Sequence, residues 1–370
     1  MVVLISLLIR IIFVKKNRIM KKEKILIFNI STDSNNTSLG FAINWLNQLS
    51  EYYTEIDVVT LNEGATHILN DNINVYSHDS VNKNKITKFI SLRKIIKNLL
   101  KNNEYRFCLS HMTTSLTLVS SSIFRFQNLQ SILWYTHKGP TTFIKKIVLY
   151  LGALFSDRII TASENSFPLK FKKVTSIGHA INYEDFYRSR INTESKDFLI
   201  LSRISRSKNI DESIQGFLNS VYGESQSITI VGGPLTKQDV EYESYLKNKY
   251  SEYRNISFAG SVPHPSLSTY IDKTGFHINN TPKGFYDKSV LETLSGGIIN
   301  FYMNSEYDKN IHPEYLNILK FDGTKDALTK SINLISELEK DFLIEIIQFS
   351  QEKVKEESLK TLHDRILKVI

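Results

Sequence analysis

Only one of the 370 residues is a cysteine, and that scarcity removes two classes of protein. A lone thiol cannot build a disulfide framework or a multi-cysteine zinc site. Cys108, inside the apolar run Phe107-Cys108-Leu109, therefore reads as a small core residue of a chain suited to a reducing, cytosolic setting. Aromatic RNA-binding motifs, zinc-finger spacings and basic heptads are missing, so nucleic acid is not an expected partner. There is no Asp-x-Asp pair to hold a divalent ion on a diphosphate and no His-Glu-x-x-His. Gly-x-Ser-x-Gly and the phosphate-binding P-loop are absent as well. No low-complexity tract or short repeat occurs, which excludes solenoids and propellers. The stretch Met1–Val14 is apolar except for Ser6 and Arg10, but it is shorter than the about 20 residues a membrane span requires. No small-residue cleavage site follows it. Residues 1–19 are expected to lie outside the fold, as a weak membrane anchor or an over-extended gene start.

What is present is mixed charge and a regular alternation. Lysine and arginine number 46 against 38 acidic residues, a formal net charge of +8. The excess favours anionic partners, and its even spread makes it a bias rather than a signature. From Lys24 onward short apolar runs alternate with longer amphipathic stretches, the pattern of parallel sheets covered by helices. Strands are predicted at Ile25–Asn29, Ile56–Thr60, Arg106–Ser110, Ser131–Tyr135, Arg158–Thr161 and Val174–Ile177. A second set falls near 197–202, 227–231, 256–259, 276–279, 298–302 and 318–321, with helices between the strands of both sets. Two successive βα sets predict an α/β architecture of two doubly wound, Rossmann-like domains. Ligands are then expected in a cleft between them, beyond the carboxyl ends of the strands. The predicted boundaries are 20–182 for the first domain and 183–340 for the second, with a helical segment at 341–370 packing back on the first. The stretch 83–101 separates Ile86, Phe89, Ile90, Ile96 and Leu100 from Lys88, Lys94, Lys97 and Lys101. It reads as a helix packed on its sheet with lysines in solvent, or alternatively as an anionic-membrane surface.

The chemistry concentrates in the second half. Phe198-Leu-Ile-Leu-Ser-Arg203-Ile-Ser-Arg-Ser-Lys208-Asn209 is a strand ending in a basic loop, where Arg203 and Lys208 can neutralise a diphosphate. A merely solvated basic loop is the competing reading. Ile228-Thr-Ile-Val-Gly232-Gly233-Pro234 breaks a strand into two glycines whose missing side chains permit close backbone approach. Phe258-Ala-Gly260-Ser-Val-Pro263-His264 ends another strand in a turn. Then Asn279-Asn-Thr-Pro282-Lys283-Gly284-Phe285-Tyr286-Asp287-Lys288-Ser289-Val290-Leu291-Glu292 carries a strand through a polar loop into a helix. The helix N-terminus can bind anionic oxygens, and the Glu292 carboxylate can accept two ribose hydroxyls, unless it is a plain surface glutamate.

The order Ser-Arg-x4-Lys, Val-Gly-Gly-Pro, Gly-x-Val-Pro, then Asp-Lys-x-x-Leu-Glu and Gly-Gly, over roughly 197–305, resembles the donor half of the retaining GT-B glycosyltransferases of the family 4 type. The resemblance implies two facing Rossmann-like domains with a cleft between them. It implies Arg203 and Lys208 on the donor diphosphate, Glu292 on the ribose, and Gly284, Phe285, Asp287, Lys288 and Ser289 near sugar and phosphates, with Gly232 and Gly233 also on the donor side. Such enzymes commonly carry a further glutamate eight residues before the ribose-binding one. Here that position is Gly284, so which group meets the sugar hydroxyls stays open. In the first half, Leu109-Ser-His111-Met112, Leu133-Trp-Tyr-Thr-His137-Lys138-Gly139 and Ser163-Glu164-Asn165-Ser166 resemble acceptor-side sequences of the superfamily. His111 is thereby a candidate catalytic residue and His137 an acceptor-side one, although a lone strand-end histidine is often structural. Ile177-Gly178-His179-Ala180-Ile181-Asn182 resembles an interdomain hinge.

The resulting expectation is a metal-independent transferase without a cofactor. It would move a sugar from a nucleoside diphosphate sugar to the hydroxyl of a glycan or lipid-linked acceptor, with retention, in the cytoplasm or peripherally on the inner membrane face. The rival readings are a GT-B-type nucleotide-sugar epimerase and a non-catalytic sugar-nucleotide-binding protein.

Overall fold

The computed structural model describes residues 23–36, 39–77, 85–136, 139–140, 142–189, 191 and 193–370. The extension 1–19 and His137 lie outside these residues. The chain divides into two compact units, Met1–Trp134 with Ile144–Arg158 and Tyr135–Phe143 with Ile159–Ile370. Each is a Rossmann-like arrangement of parallel strands and helices.

In the first unit β1 (Lys24–Thr32), β2 (Glu55–Glu63), β3 (Ile73–Tyr76), β4 (Tyr105–His111) and β5 (Ser131–Trp134) run parallel in the order β3-β2-β1-β4-β5. Ile25–Phe28 are completely buried, as expected of a parallel strand covered on both faces, where no polar alternation survives. Helices Ala42–Ser50, Lys85–Asn102, Thr114–Phe126 and Phe143–Phe155 connect or follow the strands. In Lys85–Asn102 the side chains of Leu92, Ile96, Leu99 and Leu100 join Leu26, Phe28 and Val59 in one core cluster. This helix packs on its sheet, and the apolar side read from the sequence splits, with Ile96 and Leu100 inside and Ile90 exposed.

The second unit carries the parallel pair β6 (Arg158–Thr161) and β7 (Val174–Ser176). It also holds a five-stranded parallel sheet of β8 (Phe198–Leu201), β9 (Ile228–Val231), β10 (Ile256–Gly260), β11 (Phe276–Asn279) and β12 (Ile299–Tyr302), in the order β10-β9-β8-β11-β12. The chain lays β9 and β10 to one side of β8, then crosses back to place β11 and β12 on the other. Beyond the carboxyl ends of β8 and β11, where the direction of winding reverses, such sheets bind ligands. The predicted strand at 318–321 is a correction: Leu316–Leu319 form a helical turn, and Lys320 makes only an isolated bridge to Tyr302. Leu319 and Phe321 are buried, so the apolar signal was real and reported burial rather than strand. Helix Lys237–Lys249 starts on a capping box in which Thr236 accepts from the Asp239 amide while Asp239 accepts from that of Thr236.

The last segment folds into helices Lys340–Lys355 and Leu359–Leu367. Leu343, Ile346, Ile347 and Val354 enter the same core as Val290, Leu291 and Leu294 of helix Lys288–Ser295. Gln351 Nε2 donates to the Ser295 carbonyl at 3.0 Å. No helix among the described residues is long and apolar enough to cross a membrane.

Candidate functional site

The loops after β8 and β11 bring together residues far apart in the chain. After β8 the backbone passes through Ser202 and Arg203 into a short 3-10 turn, Arg206–Lys208, and Asn209 takes a left-handed conformation (φ 45°) before helix Ile210–Leu218 begins. The turn carries Lys208 inward. Its side chain is buried, and its Nζ donates to Asp287 Oδ2 at 2.6 Å. Nζ also stands 5.5 Å from the centre of the Phe285 ring. Asp287 Oδ2 further accepts from Asn279 Nδ2 at 3.2 Å and Thr281 Oγ1 at 3.1 Å. This carboxylate occupies the N-cap position of helix Lys288–Ser295 without capping it. The opening amides of that helix have no partner one turn back, and together with the helix dipole they favour a negative charge.

Arg203, on the same loop as Lys208, is exposed. The half-buried Lys288 follows Asp287, and desolvation pushes its ammonium down to about 8, a shift that the Glu292 carboxylate partly opposes. Ser289 is likewise half-buried in the first turn of the helix. Glu292, one turn further, is not a surface glutamate. It is 5% exposed, and its Oε1 lies 2.9 Å from Nε2 of His264, in the turn after β10. The hydrogen bond to Glu292 is the main reason the imidazole's pKa is raised above its ordinary value.

Gly232 and Gly233 end β9. A side chain on Gly232, at φ 136°, would stand 1.9 Å from the carbonyl oxygen of Ser202. The close approach permitted at this position is to the backbone leaving β8.

Gly284 has a partner that the sequence did not announce. Its amide donates to Glu306 Oε2 at 3.1 Å, while the amide and Nδ2 of Asn165 donate to Glu306 Oε1 at 3.1 and 3.0 Å. Burial would raise the pKa of Glu306, but hydrogen bonds from Ser163, Asn304, Asn165 and Gly284 hold it below the ordinary carboxylate value. A carboxylate thus stands against the loop at Gly284, supplied from the turn after β12. Sequence reading missed it because Glu306 lies 22 residues from Gly284 and belongs to no motif.

The structure therefore gathers Lys208, Phe285, Asp287, Lys288, Ser289 and Glu292 around one helix N-terminus. His111 belongs to the first unit, where it ends β4. It is buried, with Nδ1 3.1 Å from Asn29 Oδ1 and its ring 5.2 Å from Trp45 and 5.0 Å from Trp134.

This fold is GT-B. Residues 34–163 match the model of the glycosyl transferase 4-like family. Similar solved structures are the Anabaena protein HepE in complex with UDP (TM-score 0.70, 13% identity, covering 93% of this chain and 98% of that one) and the sucrose-phosphate synthase of Thermosynechococcus elongatus (0.70, 13%, 94% and 98%). A glycosyltransferase from Rickettsia africae is also similar (0.73, 13%, 94% and 98%). No curated protein matches in sequence. The likeness to these structures is one of fold, and the family match lies in the first half of the chain.

Proposed function

We propose that the protein transfers a sugar from a nucleoside diphosphate sugar to the hydroxyl of a glycan or lipid-linked acceptor, with retention at the anomeric carbon and without a divalent metal or cofactor. The observation that carries this reading is the buried Lys208 at the switch point of the second sheet, aimed at the N-terminus of helix Lys288–Ser295. A buried ammonium, an arginine on the same loop and a helix N-terminus make a receptor for a diphosphate. As the bond from the anomeric carbon to the diphosphate breaks, its electron pair and negative charge move to the leaving oxygen, where Lys208, Arg203 and Lys288 meet them. The acceptor oxygen bonds to the anomeric carbon, and the hydroxyl proton departs with the diphosphate. Charge stabilisation at preorganised cations is then the main catalytic contribution. Glu292, braced by His264, takes the ribose hydroxyls. Glu306 sets the loop at Gly284 beside the sugar. The neighbour solved with UDP and with UDP-glucose makes UDP-glucose a reasonable first probe.

The test is a panel of nucleotide sugars scored by rise in melting temperature, since a ligand that binds only the native state stabilises it. Release of nucleoside diphosphate on adding glycan or lipid-linked acceptors is then measured with and without EDTA. Acceptor-dependent release that survives EDTA is expected. Binding without release under any acceptor would sink the transferase reading, and activity restored only by manganese would sink the metal-free one.

A further inference from the structure

Helix Phe143–Phe155, with the sequence FIKKIVLYLGALF, buries only Leu149, Gly152 and Ala153. Ile144 is 75% exposed, and Ile147, Tyr150 and Leu154 are also turned to solvent. The last three recur at helical spacing, so they form a stripe along one face rather than a scatter. Isolated apolar residues on a surface need no explanation, but a contiguous apolar stripe does.

The helix is not alone in its layer. Gly152 packs on the start of helix Thr114–Phe126, where a side chain would come within 2.8 Å of the Thr114 carbonyl, and Arg125 sits 5.8 Å from the centre of the Phe155 ring. Helix Thr114–Phe126 in turn meets helix Lys85–Asn102, whose Arg93 Nη2 donates to Ser122 Oγ at 2.9 Å. These neighbouring helices add Phe126, 91% exposed, and Ile90 to the exposed apolar groups. Among the described side chains the exposed cations of the layer are Lys94, Lys97, Lys101, Arg125, Lys145 and Lys146, and the three helices contain no aspartate or glutamate at all. The carboxylates closest in sequence, Glu104 and Asp157, each lie two residues beyond a helix end; Glu104 is exposed, and Asp157 accepts from the Ser131 amide at 2.7 Å.

We propose that this layer of the first unit docks on an anionic bilayer, with helix Phe143–Phe155 lying in the interface. Its apolar stripe enters the boundary between headgroups and acyl chains while the lysines and arginines meet lipid phosphates. Apolar area combined with attraction to anionic headgroups is what holds interfacial helices. Charge decides between occupants. A second copy meeting the same face would oppose cation to cation with no carboxylate on the three helices to pair them, and an acidic headgroup layer supplies the missing sign. The inference does not depend on the transferase reading.

The test uses the full chain, sedimented with vesicles of phosphatidylglycerol mixed into phosphatidylcholine and with vesicles of phosphatidylcholine alone. In parallel, Ile147→Cys is labelled with an environment-sensitive thiol dye. Cys108 is buried, so the label reports position 147. Co-sedimentation with anionic vesicles only, weakened by salt, and a blue shift of the dye on adding those vesicles are expected. Ile144→Asp with Ile147→Asp, at exposed positions where folding is little disturbed, should bind at least about tenfold more weakly. Sedimentation without a dye shift would place the anchor elsewhere, residues 1–22 included, and would overturn the proposal. A shift that grows with protein concentration without lipid would overturn it in favour of self-association, and absence of any sedimentation would refute it outright.

Discussion

Lys208 and Asp287 form an ion pair whose two members should respond oppositely to removal. The Lys208 side chain is 5% exposed and that of Asp287 23%. Lys208→Met removes the charge and keeps most of the volume, leaving Asp287 with Asn279 and Thr281 as donors. Breaking a fully buried pair costs roughly 3–5 kcal/mol. Because Asp287 keeps two hydrogen bonds and partial contact with water, about 2 kcal/mol is the better figure here, which corresponds to a fall in Tm of about 4–8 °C. The kinetic loss should be larger, because the ammonium would be missing where the diphosphate charge develops: about 2–4 kcal/mol, or roughly thirty-fold to a thousand-fold, mostly in kcat. Asp287→Asn leaves the ammonium in place and removes its competitor, so donor affinity should hold or rise while turnover falls modestly. The double variant should regain stability and stay inactive. Steady-state kinetics with UDP-glucose or whichever donor binds, and thermal unfolding of all three proteins, decide the matter. If Asp287→Asn is as damaging as Lys208→Met, or if the double variant regains activity, Lys208 is only a counter-ion for Asp287 and the diphosphate assignment is wrong.

Glu292→Gln should mainly raise the donor KM, since the ribose does not react, and it should also lower the His264 pKa by removing its carboxylate partner, which NMR titration can follow; a loss confined to kcat would contradict the ribose assignment. Lys288 carries a pKa pushed down to about 8 from an ordinary 10.5, so the free protein loses this cation as pH rises through 8 and donor affinity should fall by roughly tenfold between pH 7 and 9.5. Lys288→Arg should flatten that profile, and an unchanged slope in the variant would exclude Lys288 as the titrating group. Glu306→Gln puts an amide group among the N–H donors of Asn165, Gly284 and Asn304 and should lower kcat/KM by roughly tenfold, whereas parental kinetics would show that the loop stands without the carboxylate.

Much of the fold was legible because parallel strands buried on both faces are continuous apolar runs. Phe198–Leu201, Ile228–Val231 and Phe276–Asn279 fall within a residue of where the sequence placed them. β3 went unread because Ile73–Tyr76 is a short strand with only Ile73 buried, so it leaves little apolar signal. The error at 318–321 has the opposite cause, burial without a strand. At the site, the sequence named Lys208, Asp287 and Glu292 separately. It could not pair Lys208 with a carboxylate 79 residues away, nor Glu292 with His264. Those contacts follow from the crossover that sets β11 beside β8, and a crossover is a property of the sheet rather than of any local run of residues.

The same logic explains why the segment beyond the last strand bears on the site. The loop Gly284–Asp287 contains no secondary structure of its own, so its position must come from partners. Tyr286 supplies them: its hydroxyl donates to Glu357 Oε1 at 2.6 Å, and its ring stacks at 5.3 Å on that of His179. Glu357 Oε2 accepts the His179 amide at 2.7 Å, and Lys309 Nζ lies 2.8 Å from Oε1. Gly178, at φ 76°, leaves room for this carboxylate, which a side chain there would meet at 2.8 Å. The backbone at Ile181 completes the attachment by exchanging hydrogen bonds with Glu357 and Leu359. Tyr286 is adjacent to Asp287, and Asp287 holds Lys208. A displacement of Glu357 would therefore reach Lys208 through two contacts and one peptide bond. A buried polar cluster of this kind has few alternative arrangements, since any member left unpaired carries its full desolvation cost. The loop Gly284–Asp287 is consequently held by residues at 178–181 and 357–359 as well as by its own helix, which gives the tail after the last strand a physical reason to fold onto this unit.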